Sequence, residues 1–284
     1  FFGSPNQNIG DAFLVVWRLS GHDAKKQRRL ADMSVVSFIK IIAQVNKSPL
    51  LAEYRSHARL LKRLPNYRVR MGFGLHSGWA IEGAIGSEFK IDASYLSPNV
   101  NMASKLEQVT RYYGTTMIIS DVLIGLMSER IGQQARLIDN VLIVGSDVPL
   151  KLHTFDVDES ALEVEKGKVK VMSKTAKFRH KFERQRKRQE RWQEEFSMET
   201  FYENDEDIQN LRARFTLEFL CRFNMAYLNY EAGNWAVASD MLEVTKTLLG
   251  GDEDGPSVAL LRFMEMSDNQ APKSWKGYRV HVET

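Results

Sequence analysis

Three short stretches of this 284-residue chain combine polar side chains with glycines at spacings that could support chemistry. The first is Gly10-Asp11, which lies between the apolar residues Ile9 and Ala12–Val16 and so predicts a β-hairpin with Asp11 at or beside its tip. A carboxylate in that position can project into a cleft and bind a divalent cation such as Mg²⁺. Taken alone, the pair is better explained as an ordinary turn.

The second stretch is rich in glycine and runs from residue 72 to 78, with Gly83 and Gly86 following. Glycine inside a strand marks a close approach of two backbones or a bend, so we interpret this stretch as architectural. His76 within it is interpreted as a packed structural histidine rather than a general base, and the other histidines lack metal-ligand spacing. The Gly-x-Gly pattern does not open a helix and no P-loop sequence occurs, which argues against both classes of nucleotide-binding loop.

The third stretch is a predicted helix over residues 98–113, with Pro98 near its start and Gly114 just past its end. Asn101 and Lys105 are spaced i and i+4 and therefore share one face of this helix. Preorganised polar donors on such a face can supply a large catalytic effect. Asn101 is better explained by function, whereas Lys105 by itself would pass for a surface lysine.

The elements that must position these residues predict an α+β fold, a sheet covered by helices. We predict helices at residues 25–45, 50–64, 98–113 and 121–127. We predict strands at residues 68–76, 79–85, 115–119, 137–144 and 150–155.

The composition changes from residue 158 onward. Residues 166–195 are strongly charged, which predicts a linker and then an exposed helix that is solvated or faces a partner rather than nucleic acid. Residues 208–249 are predicted to be helical, and residues 224–238 resemble one tetratricopeptide-type helix–turn–helix with Gly233 in its turn. One such unit is too short for a solenoid. We therefore predict three segments, at residues 1–157, 158–207 and 208–284.

The bulk properties are those of a soluble globular segment. A net charge of +3 is too small to imply nucleic acid, and the single cysteine, Cys221, excludes an intrachain disulfide framework and is expected to be a buried thiol in a reducing compartment. The chain has no apolar run of membrane-spanning length and begins without a Met. We expect a cytoplasmic part of a longer protein, whose own membrane attachment is left open.

In this order, the Gly-Asp turn, the glycine-rich strand pair and the Asn-Met-Ala-Ser-Lys-Leu-Glu helix of residues 101–107 resemble the catalytic domain of class III adenylate and guanylate cyclases. The resemblance covers residues 1 to about 157 and implies a ferredoxin-like cyclase sheet covered by helices. It also implies head-to-tail dimers in which each cleft is built from two cyclase domains. A weaker resemblance to the helical tail of some class III cyclases rests on the turn before Trp235, residues 254–257, and Trp275 with Gly277.

The resemblance assigns roles residue by residue. Asp11 would bind Mg²⁺ or Mn²⁺, and the second metal-binding Asp of the family would precede the first residue of this chain. Asn101 would orient the ribose. Lys105 stands where the family has an Arg that steadies charge on the transferring phosphate, and a Lys cannot form the planar bidentate fork. Val144 stands where the family tends to carry a Lys for the terminal phosphates, although Lys151 lies nearby in the sequence.

Two positions would contact the base. Gln7 stands where adenylate cyclases have Lys and guanylate cyclases have Glu, and an amide excludes neither base. The second position is Ser94 if the alignment has no gap, or Asp92 if a two-residue insertion is allowed. Neither residue is the Cys common in guanylate cyclases, which favours ATP over GTP.

The resemblance thus implies an enzyme of intracellular signalling that converts ATP, or less readily GTP, to the 3′,5′-cyclic nucleotide and pyrophosphate. Its expected partners are the nucleoside triphosphate, a second cyclase domain in a homodimer or heterodimer, and a protein that contacts the C-terminal helices, with no nucleic acid. The alternative is a catalytically degenerate cyclase-homology domain that acts as a regulatory or structural dimerisation module. Lys105, Val144 and Gln7 favour the alternative, whereas Asp11 and Asn101 oppose it.

Overall fold

The structure, a computed structural model, describes residues 1–10, 12–64, 67–87, 90–166 and 173–280. The described helices are α1 (Ala24–Lys47), α2 (Pro49–Ala52), α3 (Ala58–Arg63), α4 (Pro98–Tyr113), α5 (Asp121–Ile124), α6 (Glu129–Gly132), α7 (Lys174–Glu190), α8 (Met198–Asn204), α9 (Glu206–Arg212), α10 (Leu217–Glu231), α11 (Trp235–Leu248) and α12 (Gly255–Glu265). The described strands are β1 (Ser4–Ile9), β2 (Ala12–Val16), β3 (Phe73–Leu75), β4 (Ile81–Ser87), β5 (Lys90–Leu96), β6 (Met117–Ser120), β7 (Arg136–Leu142), β8 (Leu150–Thr154) and β9 (Arg279–Val280).

The chain divides into two compact units that do not follow its linear order. The first unit contains Phe1–Met71, Met127–Ile131 and Asp158–Leu211. The second unit contains Gly72–Leu126, Gly132–Val157 and Arg212–Thr284. The second unit therefore joins part of the predicted catalytic segment to the helical tail, and the division into three segments stays a prediction.

In the first unit, β1 and β2 form the predicted antiparallel hairpin. Ile9 pairs with Ala12 at the end of the hairpin, and Gly10 follows Ile9. Gly10 has a φ of 64°, a left-handed conformation that glycine adopts without strain. Asp11 itself lies outside the described residues, so only the hairpin on either side of it is confirmed.

The long helix α1 confirms the predicted helix 25–45. The carboxylate of Asp23 caps its start by accepting a hydrogen bond from the backbone N of Lys26 at 2.8 Å. One face of α1, including Leu30, Met33 and Ile39, is buried in the first unit. An apolar face that packs is what holds a helix of this kind together.

The predicted helix 50–64 is wrong as a single element. The chain forms α2, then the 3₁₀ turn Glu53–Ser56, then α3, with His57 in an extended conformation between the last two. None of these three pieces has a buried residue. Without a packed apolar face, helical spacing does not hold a continuous helix.

In the second unit, a five-stranded sheet has the order β3-β6-β8-β7-β9. The outer pairs β3–β6 and β7–β9 are parallel, whereas the pairs β6–β8 and β8–β7 are antiparallel. The parallel connection from β3 to β6 passes through the separate β4–β5 hairpin and then α4. The predicted α+β fold with a helical C-terminal segment is confirmed.

Two strand predictions need correction, and one strand was missed. The predicted strand 68–76 is reduced to β3, because β3 pairs with β6 over three residues only, Phe73 to Leu75. The strand expected at 79–85 is displaced to β4, and its partner β5 was not predicted at all. Backbone pairing with a distant strand, rather than local alternation, sets these limits.

The helical tail packs on the same core as α4. Leu106 and Val109 of α4 are buried in one cluster with Phe223, Tyr230 and Leu260 of the tail. At the turn between α10 and α11, Gly233 has a φ of 85°, as the predicted turn requires. The tail therefore completes the core behind α4, while its tetratricopeptide-like character stays a prediction.

Cys221 is exposed on α10, so the expectation of a buried thiol is wrong.

Within the described ranges, no single helix is long and apolar enough to cross a membrane. The helical segments Ala24–Lys47 and Pro49–Ser56, which meet at a bend of 59°, together reach that length and apolar character.

Candidate active site

The helix that carries the candidate catalytic residues has the predicted bounds. The Ser97 hydroxyl caps α4 by accepting a hydrogen bond from the backbone N of Asn99 at 3.0 Å, and Gly114 ends the helix with a φ of 60°. Asn101 is exposed in the first turn and Lys105 is half-buried one turn later. Their i, i+4 spacing places both on one face.

Lys105 contacts the loop after β7. Its Nζ donates a hydrogen bond to the backbone carbonyl of Val144. A Cβ placed on Gly145, the next residue, would lie 3.7 Å from the same Nζ. The Val144 side chain is exposed, so this position supplies a carbonyl rather than a cation. The nearby Lys151 lies 3.9 Å from Glu231 instead.

The glycine-rich strand has a specific packing role against α4. A Cβ on Gly74 would lie 2.2 Å from the carbonyl oxygen of Ala103 and 2.4 Å from the backbone N of Glu107. Such distances are far inside van der Waals contact, so only glycine lets β3 lie this close to the helix. Ala103 and Glu107 lie on either side of Lys105 in α4, so this close contact fixes the distance between β3 and the helix at the candidate catalytic residues.

His76 forms a polar bridge from β3 to the start of α4. Its Nδ1 lies 2.8 Å from Ser120 Oγ and its Nε2 lies 3.1 Å from Asn99 Oδ1. Asn99 Nδ2 donates to the Trp79 carbonyl at 2.9 Å, which turns Oδ1 toward the histidine. The network assigns the proton to Nε2, and burial lowers the pKa of His76. This is the environment of a neutral, structural histidine.

The opposite end of α4 is anchored by residues that sequence inspection did not identify. The Tyr113 hydroxyl donates to Asp139 Oδ2 at 2.7 Å and accepts from Arg279 Nη2 at 2.5 Å. Arg279 Nη1 donates to Tyr112 at 2.8 Å, and its Nε lies 2.7 Å from Asp139 Oδ2 as an ion pair. Burial raises the pKa of Asp139, while the Arg279 charge opposes that rise. An acidic residue within the apolar strand β7 was the available signal.

The candidate base-contacting residues lie on strands. Gln7 pairs with Leu14 in β1–β2, and on β5 Asp92 pairs with Ile85 and Ser94 with Gly83. Asp92 and Ser94 are therefore two residues apart on the same strand. Ser94 is half-buried, whereas the side chains of Gln7 and Asp92 lie outside the described part of the structure.

The fit of a divalent metal depends on Asp11. Among the described residues, no three His, Cys, Asp or Glu side chains cluster closely enough to hold a metal ion. Mg²⁺ is commonly held by one or two carboxylates together with substrate phosphates, and a site built on Asp11 would be of that kind. Metal binding by Asp11 stays a prediction.

Part of the chain is similar in sequence to known nucleotide cyclases. A family model described as "Adenylate and Guanylate cyclase catalytic domain" matches residues 7–146. An adenylate cyclase of Anabaena cylindrica is 30% identical over 87 residues, which are 30% of this chain and 17% of that protein. Adenylate cyclase 1 of Rhizobium meliloti (strain 1021) is 34% identical over 61 residues, which are 22% of this chain and 9% of that protein. The matched regions span less than a fifth of either relative.

Solved cyclase structures resemble part of the chain. The guanylyl cyclase Cya2 superposes with a TM-score of 0.38 and 18% identity over 53% of this chain and 68% of that one. A bacterial light-regulated adenylyl cyclase superposes with a TM-score of 0.39 and 20% identity over 54% of this chain and 38% of that one.

Proposed function

Residues 7–146 of this chain belong to the adenylate and guanylate cyclase catalytic domain family, and we propose that the chain is the catalytic part of a nucleotide cyclase. In the proposed reaction the ribose 3′ oxygen forms a bond to the α-phosphorus, the bond from that phosphorus to pyrophosphate breaks, and the 3′ hydroxyl proton leaves. The observation that carries the proposal is the face of α4 on which Asn101 is exposed one turn before Lys105.

This face provides an amide and a cation at fixed separation. The exposed amide of Asn101 can hydrogen-bond the ribose without displacing any packed group. Lys105 can neutralise charge that develops on the transferring phosphate, once its Nζ exchanges the Val144 carbonyl for a phosphate oxygen. The tight contact at Gly74 and the Ser97 cap hold α4 in place during that exchange.

ATP is the preferred substrate in this proposal. Both curated relatives carry the name adenylate cyclase. Asp92 and Ser94 lie two residues apart on β5, and either has a side-chain oxygen that can hydrogen-bond the adenine edge. The amide of Gln7 accepts and donates, so it accommodates adenine without excluding guanine.

A divalent cation, Mg²⁺ or Mn²⁺, belongs to the proposal. When bound, it neutralises charge on the triphosphate oxygens. The residue of this chain that would hold it is Asp11, which follows Gly10 in the sequence. Replacement of Asp11 by Ala should abolish cyclase activity and leave the fold intact.

A second cyclase domain is the proposed partner. Ile81 and Leu96 pair across the β4–β5 hairpin and are 62% and 65% exposed, and Trp79 is exposed beside them. Adjoining exposed apolar side chains of this size mark protein interfaces. Either a homodimer or a heterodimer would cover them, and sedimentation analysis of an Ile81→Lys variant tests the assignment.

One observation favours the alternative, a degenerate domain with a regulatory or dimerisation role. Lys105 is engaged by the Val144 carbonyl, and the side chain at position 144 offers no charge for terminal phosphates. A chain with too little positive charge at this site would retain the fold and lose turnover. Activity assays separate the two functions.

The deciding experiment measures cyclic nucleotide formation by the full-length protein, with ATP and GTP offered separately and with Mg²⁺ or Mn²⁺. Product that is lost in Asn101→Ala and kept in Gln108→Ala, an exposed amide two turns farther along α4, supports the enzyme. Absence of product from both triphosphates, in a protein that is folded and dimeric, supports the regulatory alternative.

A further inference from the structure

Helix α7 has a surface that the proposed function does not use. Its sequence contains eight Lys or Arg residues and two Glu over Lys174–Glu190. Phe178 and Phe182 nevertheless point into solvent, with 72% and 63% of their surface exposed. Two exposed aromatic rings on so basic a helix require an explanation other than packing within the chain.

The residues of α7 are sorted around its axis. At 100° per residue, spacings of three and four place five uncharged residues on one stripe, which are Thr175, Phe178, Phe182, Gln185 and Gln189. Basic residues border this stripe on both sides. Lys181 and Arg188 lie along one border, and Arg179 and Arg186 lie along the other. The two rings are thus flanked by positive charge.

The contacts of α7 do not neutralise all of the basic residues on the two borders of the stripe. Arg186 pairs with Glu190 at 3.4 Å on the helix surface, and Arg188 lies over the ring of Phe2 at 4.9 Å. Arg179 and Lys181, which flank the rings most closely, are exposed. Positive charge therefore remains on both sides of Phe178 and Phe182.

The chemistry of the stripe distinguishes between kinds of partner. A helix-binding groove needs apolar anchors that continue at i+3, i+4 and i+7, but positions 185 and 189 are Gln, so the apolar part is one turn long. A second copy of α7 would bring like charges together. Duplex nucleic acid would use the basic residues and leave both rings in water. A flat anionic surface into which rings can insert satisfies both features.

We propose that α7 binds the surface of an anionic lipid bilayer. Phe178 and Phe182 insert among the lipid headgroups, as the apolar face of an interfacial helix does. Arg179, Lys181 and Arg186 extend their charged ends toward the lipid phosphates on either side. This role is independent of cyclase activity, and it would hold the chain at a membrane surface.

The test is co-sedimentation of the full chain with vesicles. Vesicles of phosphatidylcholine with about 30% phosphatidylserine, at about 0.1 M salt, should bind the protein at least about tenfold more strongly than phosphatidylcholine alone. Each basic residue near the surface strengthens partitioning by roughly fivefold. Arg179→Glu with Lys181→Glu should therefore weaken binding by about 25-fold or more.

The matched control reverses two exposed charges in the other basic segment, Lys25→Glu with Arg28→Glu at the start of α1. It should change partitioning by less than about threefold, because those residues lie outside the proposed contact. A control that loses as much binding as the α7 variant would overturn the proposal in favour of a diffuse charge effect. So would equal binding to both kinds of vesicle.

The aromatic rings provide the second arm. Phe178→Ser with Phe182→Ser alters two exposed side chains, so the fold should persist and circular dichroism should be unchanged. Binding to the anionic vesicles should fall about tenfold, and the remainder should vanish at about 0.5 M salt. If polyglutamate or duplex DNA binds as tightly as the vesicles and without dependence on the rings, α7 is an acidic-protein or nucleic-acid site instead and the membrane proposal fails.

Discussion

The polar residues at the two ends of α4 differ sharply in burial and in the number of partners that they contact. At the N-terminal end, Asn101 is exposed and Lys105 makes one hydrogen bond to a loop carbonyl. At the C-terminal end, Tyr113, Asp139 and Arg279 are buried together and are joined by two hydrogen bonds and an ion pair. One end is available to a ligand, and the other is committed to the fold.

The comparison shows how a helix can present loosely held polar groups without losing its position. Removing one partner of a buried ion pair strongly destabilises a protein, because the other charge stays buried without compensation. The C-terminal end of α4 therefore resists displacement. The tail supplies the key residue of this anchor, because Arg279 lies in β9, which pairs with β7. Stability at one end of α4 therefore allows exposure at the other.

The largest effect should follow from breaking the buried end. Arg279→Met leaves the Asp139 carboxylate buried without its ion-pair partner, which should lower the free energy of unfolding by roughly 3–5 kcal/mol. Urea denaturation measures this change. Arg111→Met, at an exposed residue of the same helix, should change it by less than about 0.5 kcal/mol. Equal effects of the two variants would contradict the contrast between the ends.

A smaller loss should follow from separating α4 from β3. Gly74→Ala places a methyl group 2.2 Å from the Ala103 carbonyl oxygen, and relief of that overlap should cost up to about 3 kcal/mol. Any cyclase activity should fall as well, since α4 must shift. Gly83→Ala is the matched control, because nothing lies within 4 Å of its added Cβ. A thermal melt that is the same for both would show that the approach is not tight.

The sheet beneath α4 should respond to pH. Burial lowers the pKa of His153 to about 4, so the folded state keeps this imidazole neutral while the unfolded state binds a proton below its usual value of 6.5. The associated stability is complete above that value and is lost as the pH falls toward the folded-state pKa. Between pH 7 and pH 5 the loss should be about 2 kcal/mol.

The contribution of His153 is isolated by measuring the free energy of unfolding of His153→Gln over the same range of pH. Chemical denaturation should show a smaller difference between neutral and acidic pH in that variant. The residual dependence would include His76, whose pKa burial also lowers. An unchanged pH dependence would mean that His153 does not titrate on unfolding.

The smallest effect on stability is expected at the exposed end. Lys105→Arg should alter the free energy of unfolding by less than about 0.5 kcal/mol. If the cyclase proposal is correct, the same change should raise turnover, because the guanidinium can form the bidentate contact that an ammonium cannot. Turnover assays with ATP give the answer. Lower turnover with unchanged folding would place Lys105 outside phosphate stabilisation.

The accuracy of prediction from sequence varied with the range of the signal. The bounds of α4 were predicted to the residue, because Ser97, Pro98 and Gly114 are start and stop signals within the helix's own neighbourhood. The hairpin around Gly10 was predicted for the same reason. The helix at 50–64 was wrong and β5 was missed, because burial and strand pairing depend on distant parts of the chain.

The amino-acid sequence by itself determined the cyclase-family match of residues 7–146, the α+β class and the shared face of Asn101 and Lys105, because motif order and helical spacing are local properties. Only the tertiary structure decided that Lys105 contacts the Val144 carbonyl and that Arg279 joins Asp139 beneath the end of α4. Those contacts join residues far apart in sequence, and they exist because packing of the tail against β7 removes polar groups from water that must then find partners within the fold.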